Sequence, residues 1–391
     1  MNYLSSILWI SILLIGCSHT PETKPKDIIK INIPLQQEDN LIKLSTLVDS
    51  IHYLPLATDD KYLIGNIDKL IVTDDFLYII DKNISFSIYC FNKKGEFVRK
   101  IGNRGASNKE YVSITDVNIY NEKIYIWDGS SRKLLIYKSN GNYINSISSD
   151  YAAEAIAILN DSKVAFYGDY KHNYKFEHKK KYPNLLTLNL DNKKVDTDLF
   201  YEEALSTSGI TRLPNNITNN KYLIMPLNDT IYEISPSETK RTYILDYRLE
   251  YKKAQENYIK RLKTEKVTVD DAMEMAGENA QFPIFNVFFE GNNFSYLFYQ
   301  MGYRIYFGFY YPQSQIYLEA SAYQKNPIKN EIDSLARFLP YAVHGDFFYC
   351  VMEPSEILEH AKLIPASEKR KLDRLKSEDN PIIVMMQIKK Q

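Results

Sequence analysis

Three aspartates stand where a short apolar run stops. Asp81 closes the run from Phe76 to Ile80, Asp128 the run from Ile124 to Trp127, and Asp169 the run from Val164 to Gly168. Arg104, Glu110 and Arg132 lie near the first two in the chain. A guanidinium offers paired planar donors and a carboxylate paired acceptors. Arg104, Glu110, Asp128 and Arg132 are therefore the candidate contacts for a ligand carrying hydroxyl or carboxylate groups. A second reading is open for the same residues. An aspartate at the end of a strand also bonds the backbone of its own turn, and Arg132 is placed to pair with one.

Other chemistries lack their residues. His19, His52, His172, His178, His344 and His360 show no zinc-type spacing with cysteines or carboxylates. No nucleophile elbow, phosphate-binding loop or calcium loop is present. The pairs Asp59-Asp60 and Asp270-Asp271 do not define an acid/base couple without geometry. No catalytic group, metal or cofactor is expected. A formal net charge of −1 argues against nucleic acid as a partner, and the basic stretch from Lys171 to Lys181 reads as a solvated loop.

The elements that must position these residues form a repeat. Tyr78 aligns with Tyr125, Asp81 with Asp128, Phe91 with Tyr137 and Gly95 with Gly141, at offsets of 46 or 47 residues. That period belongs to four-stranded propeller blades. The first blade reads as strands from Ile67 to Val72, Phe76 to Asp81, Ser87 to Phe91 and Glu96 to Ile101, with Gly95 in the hairpin turn. The second runs from Ile114 to Ile147, and weaker copies follow from Ala152, Tyr222 and Ile284. A sixth blade is incomplete, with strands near Phe338 to Val343, Phe347 to Met352 and Ile382 to Ile388. An open edge strand invites intermolecular pairing, so the spare strand from Ile51 to Leu56 is expected to fill the gap. The expected fold is all-β: a six-bladed propeller of four-stranded antiparallel blades closed by an N-terminal strand. Helical insertions are expected near 251–279 and 355–377, where Glu, Lys, Ala and Met replace β-branched residues. In such blades the loop after the second strand and the loop leaving the fourth share one end. Asp81, Asp128 and Asp169 thus share a face with the loop from Gly102 to Tyr111, at the mouth of the central channel.

The first residues set the location. Ile7 to Ile15 is almost wholly apolar, too short to span a bilayer but the right length for the apolar core of a signal peptide. The sequence Leu14-Ile15-Gly16-Cys17 resembles a bacterial lipobox. That resemblance implies a signal peptide over 1–16, lipidation of Cys17, a polar tether over 17–27 and a propeller over 28–391. The protein would be attached to the membrane through its lipid, with the outer membrane as the expected site and either its periplasmic or its surface face open. Cys90 and Cys350 sit in apolar strand-like runs and are expected to be buried free thiols. The 32 tyrosines suit strands; stacking of exposed ones on sugars is the alternative use.

The run from Asp74 to Gly102 resembles the NHL-type propeller repeat. The whole chain resembles the six-bladed β-propeller lipoproteins of Bacteroidetes, through Leu47 to Ile51, Leu54-Pro55-Leu56, Asn228 to Tyr232 and Glu378 to Ile383. The loop from Ile101 to Tyr111 keeps the frame of that family but lacks its internal proline. The resemblance implies an envelope protein of the kind associated with nutrient or glycan uptake. The expected function is non-catalytic binding of a glycan, peptide or envelope partner. The rivals are a hydrolase or lyase acting on an extracellular polymer at the channel mouth, and a scaffold that docks through the helical insertions.

Overall fold

A computed structural model of the chain describes residues 28–389 apart from 209, 211–216, 220, 266 and 278–279. Six antiparallel four-stranded blades form a propeller; in the first five the four blade strands pair in chain order from channel to rim, and in the sixth an N-terminal strand takes the outermost place. The first blade comprises Lys69–Val72, Phe76–Asp81, Ser87–Asn92 and Phe97–Lys100; the second comprises Asp116–Tyr120, Lys123–Asp128, Lys133–Lys138 and Tyr143–Ser148. Their middle strands are buried on both sides, because each blade is sandwiched between two others. Period-two alternation therefore gives way to continuous apolar runs such as Phe76 to Ile80. The third blade runs from Ala155 to Glu202 and the fifth from Ile284 to Tyr323. In the fourth, the first strand is only Ile217–Thr218, which is too short for periodicity to reveal.

The expected closure is present. Val48–Pro55 pairs antiparallel with Ile382–Ile388, from Ile382 opposite Pro55 to Ile388 opposite Val48, and completes the last blade. The chain upstream of it does more than the sequence suggested. Ile29–Asn32 adds in parallel to the rim strand Thr239–Asp246 as a fifth strand of blade four. Asn40 then bridges Ser321 on the rim of blade five, and Ile42–Lys43 pairs with Ile328–Lys329. One N-terminal belt thus spans blades four, five and six. Glu319 fastens its middle: the buried carboxylate accepts the N–H of Leu35 at 3.2 Å and of Gln36 at 2.8 Å, and the hydroxyl of Tyr299.

The core lies between blades. Tyr296, Phe307, Phe309, Phe338 and Phe348 join blades five and six in one aromatic cluster, with edge-to-face contacts that add to plain area burial. Trp127 is fully buried and its indole N–H donates to the Ala153 carbonyl at 3.0 Å, joining blades two and three. Many tyrosines occupy such positions; Tyr53, Tyr78, Tyr111, Tyr125, Tyr167, Tyr222, Tyr296, Tyr299 and Tyr306 are all buried. Cys90 and Cys350 are free and buried in blades one and six, and burial pushes their thiols up to about 11 and about 12. The first helical insertion forms α1 (Leu249–Thr264) and α2 (Val269–Ala276), with a Thr268–Asp271 capping box opening α2. The second forms α3 (Pro354–Glu359) and α4 (Ala366–Leu372).

Burial raises the Glu319 carboxyl, and the donors from Gln36, Tyr299 and Leu35 only partly oppose this. The native state therefore holds this proton more tightly than the unfolded chain. Its contribution to stability is full below the ordinary value of 4.5 and declines as pH rises through the raised one. Glu319→Gln is expected to flatten that decline in chemical denaturation. Glu319→Ala, which strands buried donors, is expected to lower stability by about 2–4 kcal/mol.

Candidate functional site

The two ends of the propeller differ. Turns between first and second strands are short in every described blade: 73–75, 121–122, 161–162, 291–294 and 345–346. At the other end, connections grow to 82–86 and 168–180 between second and third strands, and to 353–381 in blade six, which carries α3 and α4. The connections between blades lie at that end too, at 101–115, 149–154 and 247–283, the last holding α1 and α2. Among the described residues the four α-helices and the sequence-predicted contacts therefore gather on one face.

The loop aspartates show how that face is held. Asp128 is fully buried, and it accepts the N–H of Val112 (2.7 Å), Ser113 (3.2 Å) and Ser131 (3.2 Å) and the hydroxyls of Ser113 (2.8 Å) and Ser131 (2.6 Å). Asp81 repeats the arrangement one blade earlier, accepting the N–H of Gly65, Asn66 and Ile84 at 2.8, 3.1 and 2.9 Å. Each carboxylate ties the loop entering its blade to its own turn. Burial pushes both upward, yet the donors outweigh it and hold both below the usual carboxylate value. In blade three Asn173 does this work, bonding Ala152 through its side-chain oxygen at 2.8 Å and its nitrogen at 3.0 Å. Asp169 sits two residues beyond its strand, buried and accepting the Tyr167 hydroxyl at 3.1 Å.

The other predicted contacts lie close by on the same face without bonding one another. Glu110 accepts the N–H of Ser107 at 3.0 Å and, through Ser107, is held below its usual value. Arg104 is exposed and its guanidinium lies 3.9 Å over the Phe86 ring. Arg132 is exposed, has a positive φ of 50°, and donates to the Asp150 carbonyl at 3.3 Å. Cys17 and His19 lie outside the described residues.

Sequence reasoning passed over a set of charges at the start of the inner strands. Lys69 and Asp116, both buried, form an ion pair at 2.8 Å. The Lys69 amine also donates to the Val117 carbonyl at 2.9 Å, while Asp116 accepts the Ile156 N–H at 2.9 Å. This network links three blades, and the extra bonds are what such a buried pair requires. The Lys82 amine donates to the Thr115 carbonyl at 2.6 Å; burial lowers its pKa and Asp116 opposes that. Glu154 pairs with Lys171 from the blade-three insertion. The signal was in the repeat: Lys69 and Asp116 are 47 residues apart, so they are the same blade position carrying opposite charges. Among the described residues no group of three metal-ligating side chains comes together.

A cleft of about 600 Å³ opens on this face beside blade five. Tyr251 and Ala254 of α1 form one wall, and Tyr303, Arg304 and Tyr323 form the other. A smaller cavity of about 210 Å³ runs along the inner strands from Lys69 to Thr73 and is lined also by Asn118, Thr218, Phe289 and Val343 of four other blades.

Residues 28–387 match a family described as a domain of unknown function, DUF4934. No curated protein matches the chain. A Bacteroides fragilis protein described as exported is similar in structure, with a TM-score of 0.68 and 16% identity over 93% of this chain and 100% of its own. A member of the DUF4221 family from Bacteroides vulgatus superposes with a TM-score of 0.50 and 10% identity, over 90% of this chain and 99% of its own. At these identities the likeness concerns the fold.

The Asp128 staple makes a pH-dependent prediction. A lowered native pKa stabilises above the unfolded value near 3.8, and that gain is lost as pH falls through the native value. Asp128→Asn is expected to cost about 2–3 kcal/mol at neutral pH. In urea unfolding the gap from the parent should close below about pH 4.

Proposed function

We propose, for a chain that belongs to the DUF4934 family and takes no established activity from it, a non-catalytic binding role in the cell envelope. The observation that carries this reading is the segregation of the four described α-helices and the long inter-blade connections to the channel-mouth face. Short turns are the economical way to join strands, and long ordered loops on a rigid scaffold are where binding residues gather. Arg104 and Arg132 present exposed guanidinium groups there, while Glu110 and Asp128 hold the loops beside them. The charges at the inner strands are paired or bonded to carbonyls, which suits a rigid binding surface better than proton transfer.

The lipobox resemblance at Cys17 supports attachment to the envelope by a lipid, with the outer membrane as the proposed site. The exported Bacteroides fragilis protein of similar fold agrees with an envelope location. The described chain begins on the rim of blade four, away from the channel. Cys17→Ser is expected to move the protein from the membrane fraction to the soluble fraction, with loss of acyl labelling.

Binding is tested by thermal shift on the soluble form beginning after Cys17, against oligosaccharides, peptides and purified envelope proteins. A ligand at about 100 times its Kd should add about 2.7 kcal/mol of stability. The shift is expected to fall in the double variant Arg104→Glu with Arg132→Glu. It should persist in Asp75→Lys with Glu122→Lys, at the plain face. Turnover of a panel member, or dependence on the plain face, would overturn the reading.

A further inference from the structure

We infer that the cleft between α1 and blade five is a binding site for a neutral oligosaccharide, an assignment that rests on the binding role proposed above. Its aromatic component is unusual for this protein, whose tyrosines are mostly buried. Tyr303 and Tyr323 are 40% and 53% exposed, and their rings meet edge to face with centroids 6.2 Å apart. Tyr251 and the aliphatic Ala254 face them across about 600 Å³ of open space. An aromatic ring has a negative face, and the C–H groups of a sugar ring present a complementary positive edge. The hydroxyls around that sugar then need donors and acceptors at the rim, and Gln281, Glu250 and Arg304 supply them.

The charges of the cleft decide against an ionic ligand. Arg304 donates to Asp39 at 3.0 Å, and Lys325 lies 2.7 Å from the other Asp39 oxygen. Lys325 foremost, then the Tyr323 N–H at 3.1 Å and Arg304, hold the Asp39 carboxyl down at about 2. Glu250 is paired with Arg248 at 3.3 Å. An acidic ligand would have to displace Asp39 from Arg304, and a basic one would have to displace Arg248 from Glu250. An extended peptide adding to the rim of blade five meets the Asn40–Ser321 bridge and the Tyr323–Asp39 bond, which already occupy that edge. The same Asp39 contacts fix Arg304 and the Tyr323 backbone in place before a ligand arrives.

The test is isothermal titration of the soluble form with maltohexaose, cellohexaose, mannohexaose and xylohexaose, and with an oligogalacturonate as the acidic comparator. At least one neutral series is expected to bind. Tyr303→Ala and Tyr323→Ala should each weaken it by about tenfold or more, and Tyr303→Phe should preserve it. Both tyrosines are exposed, so the variants should retain the parental thermal midpoint. Binding by none of the neutral oligosaccharides, binding by the oligogalacturonate alone, or affinity unchanged in both alanine variants would overturn the assignment. Binding that depends on Arg104 and Arg132 but not on Tyr303 would remove the cleft while leaving the broader binding role. Dependence on Asp75 and Glu122 would remove both.

Discussion

Everything on the working face depends on the ring being closed, and closure is a hydrogen-bonding problem. A sheet with an unpaired edge is exposed to intermolecular pairing. Here the last blade obtains its outer strand from Val48–Pro55, over a ladder that reaches from Pro55 to Val48. The belt upstream ties that strand to two further blades. Its contacts run through backbone N–H groups of Leu35 and Gln36 to a buried carboxylate, so the join is polar as well as apolar. Glu319 is unfavourable to bury, and the donors it satisfies on the belt are its structural return.

Much of this was legible in the chain. The offset of 46 or 47 residues gave the blade unit, and the incomplete sixth blade required a partner strand. The buried cysteines followed from their apolar surroundings. What escaped notice did so for physical reasons. Ile217–Thr218 is too short to show a period. Ile29–Asn32 looks like any short apolar strand, and nothing local says that it pairs in parallel with a strand some 200 residues away. The cleft was invisible because Tyr303 and Tyr323 resemble the buried tyrosines in sequence; only the fold distinguishes them.

The candidate residues divide along a line that sequence alone cannot draw. Asp81 and Asp128 engage backbone donors one blade apart, from residues that are themselves one repeat apart: Gly65 and Val112, Asn66 and Ser113, Ile84 and Ser131. A side chain that recurs with its partners in this way belongs to the scaffold of the loops. Arg104 and Arg132 have no counterpart in that pattern and remain at the surface. Lys69 and Asp116 show the opposite case, where a break in the repeat creates a bond between neighbouring blades.

The belt also bears on the order in which the chain can become a protein. Val48–Pro55 is made long before Ile382–Ile388. Until the final strand leaves the ribosome, or the translocation pore if the chain is exported, the early strand has no partner. Contacts between such distant residues form slowly, because a long loop must close before they contribute. A nascent chain truncated before residue 382 therefore carries two unmatched edges and cannot complete its ring. Completion of the last blade is in this sense a requirement of the topology, and a chain that stops short of it exposes the unpaired edges that favour aggregation.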